Sequence, residues 1–166
     1  NVDAYELLKK TFGGSGYDIA CAQSDSAISY QLLQGKPIVK NVDFNPPFKQ
    51  NLYFVYLNKK QNSRDGIEHY KSKNRNLYDE ISEINLISKH IIKCDELEEF
   101  ERLINQHEAI ISNILGQKPI KELHFSDFEG SIKSLGAWGG DFVLVASEHN
   151  PEHYFNSKGF DTILNY

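Results

Sequence analysis

The sequence predicts an α+β fold, and three observations carry the prediction. Leu52-Tyr-Phe-Val-Tyr-Leu57 is a continuous apolar run of strand length, rich in aromatics and suited to burial on both faces. Two stretches downstream repeat apolar residues every three or four positions: Leu77, Ile81, Ile84, Ile87 and Ile91, then Leu97, Phe100, Ile104, His107, Ile110 and Ile114. Residues 132–137 and 142–147 then flank Trp138-Gly-Gly-Asp141, the pattern of two strands joined by a tight hairpin. A short helix capped at Asn150 with Pro151 in its first position runs to Lys158, and a last strand covers 162–166. From residue 50 onward the order is therefore β, helices, β, β, α, β. That is the split βαβ, ferredoxin-like order βαββαβ with extra helices in the first crossover.

Ahead of this region, Tyr5, Leu7 and Leu8 suggest a helix over residues 3–11, ended by the cluster Gly13-Gly-Ser-Gly16. The small residues Ala20, Cys21 and Ala22 suit a close-packed helix after Asp18. Residues 27–33 alternate as a strand does, Gly35-Lys-Pro37 turns the chain, and 38–44 reads as a second strand. Asn45-Pro-Pro-Phe48 is the best linker candidate, because proline cannot donate to a ladder. Two domains are expected, 1–48 and 49–166. In the second, Ser63 caps a helix to about Ser72, and Asp95 with Glu98 forms a variant capping box for the helix that stops at Gly116, before Pro119.

A chain of 166 residues with 40% hydrophobic and 25% charged residues has the composition of a globular protein with a real core. No apolar run approaches a membrane span. A net charge of -5 without a Lys/Arg stripe argues against nucleic-acid binding, which needs clustered cations. Anionic membranes are likewise disfavoured. Cys21 and Cys94 show no CxxC pairing, as a reducing cytoplasm would allow. The start at Asn1 and the lack of any Met read as a piece of a longer protein.

Several segments could carry chemistry. Gly13-Gly-Ser-Gly-Tyr-Asp18 lacks the lysine of a P-loop and the spacing of a dinucleotide motif. It still places Asp18 at a helix start, either as a simple cap or as an ionised carboxylate able to accept a proton from a hydroxyl. Gly136-Ala-Trp-Gly-Gly-Asp141 is either an ordinary hairpin or a place where small residues let a ligand approach the backbone. Lys59-Lys-Gln-Asn-Ser-Arg64 follows the central strand, as a solvated loop or a phosphate-facing one. His149-Asn-Pro-Glu-His153 has metal-like spacing, but Pro151 starts the helix, so the two imidazoles do not share a face and no metal site is expected. His107 reads as a satisfied core histidine, and no nucleophilic triad can be assembled.

Taken together, "GGSGYDIACA", "YFVYLNKKQNSRDGI", "LINQHEAIISNILGQKPIKEL" and "SIKSLGAWGGDFVLVAS" resemble, in order and spacing, the carboxyl-terminal half of the GHMP kinases, with mevalonate and phosphomevalonate kinases nearest. The resemblance implies that residues 1–48 are the tail of the kinase's N-terminal domain and that 49–166 are its C-terminal domain. It implies a catalytic role for Asp18 beside the phosphate-accepting hydroxyl. It assigns substrate binding to Ser15, Gly16, Tyr17, Ser63, Gly136, Ala137, Gly139 and Gly140. Trp138 stands where the family has glycine, so the acceptor pocket is expected to be reshaped. The implied activity is transfer of the γ-phosphate of ATP, with Mg2+, to a hydroxyl or phosphate acceptor such as mevalonate or phosphomevalonate. The family's glycine-rich ATP loop and early lysine have no counterpart here and would precede Asn1, so the fragment by itself is expected to be inactive. The expected partner is a small-molecule substrate, with a homodimer compatible with the incomplete first domain. The other reading, from a different class, is a non-catalytic ferredoxin-like module that binds a ligand or partner.

Overall fold

The computed structural model describes residues 3–11, 13–60, 70, 76–136, 138 and 141–166. The chain divides into two compact units, residues 1–45 and 46–166.

In the first unit, α1 (Ala4–Lys10) starts where the Asp3 carboxylate accepts the Tyr5 and Glu6 backbone N–H groups. Gly13, at φ +67, ends the helical path by donating its N–H to Leu8 O at 2.7 Å. A second helix, α2 (Tyr17–Ala22), follows. Strands β1 (Ile28–Leu33) and β2 (Lys36–Asn41) pair antiparallel from Ile28↔Asn41 to Leu33↔Lys36. The turn between them is Gln34-Gly35, both at positive φ, as a two-residue hairpin of type I′ requires. It lies one residue earlier than the expected Gly35-Lys-Pro37 turn, and Pro37 already sits in β2 opposite Leu32. A two-stranded ribbon has only edges, so the missing proline N–H costs no interior ladder bond. Among the described residues of this unit only Gly16 and Ala20 are buried, while Leu32, Leu33 and Val39 are exposed.

The second unit opens with a 3-10 turn, Lys49–Asn51, that feeds β3 (Leu52–Tyr56). Phe48, at the end of the candidate linker, is buried against Phe100, ring centroids 5.2 Å apart. Then come α3 (Tyr78–Ile91), α4 (Leu97–Leu115), α5 (Ile120–His124), β4 (Ser131–Ser134), β5 (Phe142–Ala146), α6 (Glu152–Ser157) and β6 (Ile163–Asn165). The four strands lie in the order β4-β5-β3-β6 with every neighbour antiparallel. Strands β3 and β4 thus run parallel to each other with β5 inserted between them, which is the split βαβ arrangement the element order predicts.

Strand alternation divides the sheet. Tyr53, Val55, Ile132, Val143 and Val145 point to one face, where they pack with Ile120, Phe125, Phe128 and Phe155 into the main core. A second cluster, Ile87, Leu103, Ile110 and Ile114, with Leu77, Ile84 and Ile91 packed against it, joins α3 to α4; it takes in Leu103, which neither stripe included, while Ile81 of the first stripe is exposed. The α4 helix ends at Gly116, φ +65, whose N–H donates to Ser112 O.

Three more local expectations are corrected and one element is added. The α4 N-cap is Glu96 with no side-chain cap bond, so Asp95 and Glu98 do not form a capping box. Pro151 is itself the cap position of α6, with the Asn150 side chain accepting the Glu152 N–H from outside the helix. The strand read over 132–137 pairs only as far as Ser134, with Leu135 N–H still donating to Phe142 O, whereas its partner begins at Phe142 as expected. The helix α5, straight after Pro119, is an element the sequence reading missed. The helix expected from Ser63 lies, apart from Tyr70, outside the described residues.

Candidate functional site

Within residues 1–45, the Asp18 loop is built around Gly16. Gly16 is the N-cap of α2, at φ 78 and ψ 12, a left-handed conformation that a Cβ disfavours. Asp18 therefore does not cap the helix. It stands in the first turn, exposed, and its carboxylate makes no hydrogen bond or ion pair among the described residues. Ser15 Oγ accepts the Tyr17 N–H at 3.3 Å, and the Tyr30 hydroxyl donates to Ser15 O. The Tyr17 and Tyr30 rings meet edge to face at 5.6 Å. The Tyr17 phenol is pushed up to about 12, first by its hydrogen bond with Cys21, then by burial, with the charges of Cys21 and Asp18 adding to it. Ser15, Gly16, Tyr17 and Asp18 thus share one loop, braced by the Tyr30 hydroxyl and by the Tyr5 ring lying against Gly16; from the sequence Tyr5 was read only as a helix position and Tyr30 was not singled out. A carboxylate free of internal partners on a fixed loop can accept a hydrogen bond from a hydroxyl that approaches it.

Within residues 46–166, two sequence-selected segments come together. Past the last paired residues of β3 and β5, Leu57 N–H donates to Asp141 O, and Asp141 N–H donates to Lys59 O, both at 2.7 Å. The loop after β3 and the glycine turn therefore run side by side. Asn58, at φ 55, turns its side-chain amide onto Gly159 O at 2.8 Å. Gly136 adopts φ +63 and is exposed, with open space where a Cβ would be. Its glycine is needed for the backbone conformation, not for a close approach within this chain. Ser63, Ala137, Gly139 and Gly140 lie outside the described residues.

The turn's Trp138 is partly buried and donates its indole N–H to Glu108 Oε1 at 3.2 Å. Lys133 Nζ lies 3.4 Å from the same oxygen and 3.2 Å from Ser134 O. Burial holds the Lys133 ammonium below the usual lysine range, partly offset by Glu108. His107, beside Glu108 on α4, was expected to be satisfied, but its Nδ1 has no hydrogen-bond partner among the described residues. Its imidazole is pushed down to about 4, mainly by burial and then by the Lys133 charge. Sequence reading missed the Glu108–Lys133–Trp138 group. The available signal was a glutamate one turn after Ile104, on the helix flank that also carries the buried stripe.

Among the described residues no group of three His, Cys, Asp or Glu could hold a metal ion. None of their helices is long and apolar enough to cross a membrane.

The fold is α+β, a four-stranded antiparallel sheet with helices, compatible with the C-terminal domain of a GHMP kinase. Among solved structures, the chain matches the crystal structure of L. major mevalonate kinase in complex with R-mevalonate, with a TM-score of 0.65 at 18% identity. The match covers 92% of this chain and 50% of that kinase, so the chain spans half its length. At such identity the likeness shows the fold alone. No family model and no curated protein matches the sequence.

Proposed function

We propose that the chain is the carboxyl-terminal part of an ATP-dependent small-molecule kinase of the GHMP class, with an acceptor of the mevalonate or phosphomevalonate type. The observation that carries this reading is the structural likeness to mevalonate kinase over 92% of the chain. Two features of the chain support it. Asp18 is presented on a braced loop with its carboxylate unengaged, as an acceptor-facing group must be. The first unit buries almost nothing of its own, as a piece of a larger domain would.

In this reading Asp18 takes the hydrogen bond of the acceptor hydroxyl, as a base or as an orienting group, and Ser15, Gly16 and Tyr17 fix the loop that carries it. ATP and Mg2+ are the cofactors of the intact kinase. The described residues do not themselves fit a magnesium site, having no group of three His, Cys, Asp or Glu that could hold the ion. No step through the nucleotide is therefore assigned to this chain, and the 166 residues alone are proposed to be inactive.

The second reading is a non-catalytic ligand- or partner-binding module. A panel of hydroxylated and phosphorylated acceptors, including R-mevalonate, assayed with the full-length parent and Mg-ATP separates the two. Turnover of one acceptor supports the kinase; ATP binding without turnover of any acceptor supports the module.

A further inference from the structure

We infer that Glu108 is an anchor for the turn between β4 and β5, holding it to α4 through the indole of Trp138. Its bearing on an acceptor site rests on the kinase reading; the anchor itself does not.

Glu108 is 3% exposed, on a helix whose neighbouring buried positions are Leu103, Ile104, Ile110 and Ile114. Both of its donors, Trp138 Nε1 and Lys133 Nζ, reach Oε1, and Oε2 has no partner among the described residues. A buried carboxylate with one oxygen unpaired is a poorer contributor to stability than an apolar side chain of the same volume. Stability of α4 therefore does not account for it, and what it holds does.

Trp138 adopts φ 38 and Asp141 φ 51, left-handed conformations that are unfavourable for residues with a Cβ. Such a turn persists only when its surroundings fix it. At Asp141 the fixing groups are Leu57 N–H and Lys59 O on the continuation of β3. At Trp138 the fixing group is the Glu108 carboxylate, which the Lys133 ammonium, 19% exposed at the side chain, holds from the other side at 3.4 Å. The residue that departs from the family's glycine thus turns its polar edge onto α4, and Glu108 and Lys133 are positioning residues for the turn.

The chain has a single tryptophan, so its fluorescence reports the surroundings of the Trp138 indole. Glu108→Leu combined with Lys133→Met removes the acceptor without stranding an ammonium, and Glu108→Gln keeps an acceptor oxygen without the charge. In the 166-residue chain, the double variant is expected to show higher acrylamide quenching of Trp138. Amide exchange across 135–141 should be faster by about tenfold, the factor matching loss of one charge-assisted hydrogen bond. Its denaturation midpoint should hold or rise, and Glu108→Gln should quench like the parent chain. A folded double variant with unchanged quenching and exchange would overturn the anchor. Should the double variant not fold, Trp138→Phe read by exchange decides: faster exchange across 135–141 supports the anchor, and unchanged exchange overturns it. None of these readouts requires catalysis. An inactive parent would overturn the kinase reading and leave the anchor standing, whereas an unmoved turn would overturn the anchor alone.

Discussion

The ring of Tyr5 occupies the space that a side chain on Gly16 would need: its Cε1 lies 2.8 Å from where the Cβ would stand. Helix α1 and the Asp18 loop are thereby locked together, and a glycine is required at position 16 twice over, for space and for φ +78.

Gly16→Ala is accordingly expected to destabilise the loop by about 1–2 kcal/mol from backbone strain, with displacement of the Tyr5 ring adding to it. Exchange rates of the amides of residues 15–22, compared between the two proteins, check this. Equal rates would show that the loop is not held by its glycine.

The main core makes a sharper stability prediction. Phe155 is fully buried and meets Phe125 edge to face, ring centroids 5.2 Å apart. Phe155→Ala leaves a cavity under the centre of the sheet and should cost about 3–5 kcal/mol, read from the urea midpoint. A loss below ~1 kcal/mol would mean that α6 does not pack as described.

His107 gives a pH dependence with a defined sign. Its ordinary value of 6.5 falls to about 4 in the folded chain, because burial and the Lys133 charge oppose the imidazolium. Between these values the unfolded chain binds a proton that the folded chain does not. The contribution of the neutral imidazole is therefore complete above pH 6.5 and is lost as the pH falls towards 4. Unfolding free energies of the parent chain and of His107→Phe, measured from pH 7 to 4, should diverge as acid is added, with the parent losing more. Parallel curves would show that His107 is not buried neutral.

The sequence made the long-period features legible. The run at Leu52 is continuously apolar and the two helical stripes repeat apolar residues at one period over several turns, so the β3, α3 and α4 elements followed from pattern alone. Helix α5 escaped because Ile120–His124 is little more than one turn and shows no period. The first strand of the β4–β5 pair was read three residues too far, to 137, because its pairing stops at Ser134, while the second begins at Phe142 as read. Asp18 was weighed as a cap, but Gly16 takes that place because φ +78 suits glycine. Of the Glu108–Lys133–Trp138 group only the position of Glu108 beside the buried stripe was legible: its members come from α4, β4 and a turn, and only the fold brings them into contact.

The central claim is that this chain supplies the acceptor-side carboxylate of a small-molecule kinase. Its most direct test is the turnover number of the full-length parent with Mg-ATP and its acceptor, before and after Asp18→Asn. The substitution preserves size and leaves the loop's braces, Tyr5 and Tyr30, untouched, so the fold should survive. The account predicts a fall in kcat of about 10²-fold or more, the range typical for loss of a group that handles the reacting proton. An unchanged kcat in a folded Asp18→Asn protein would contradict it.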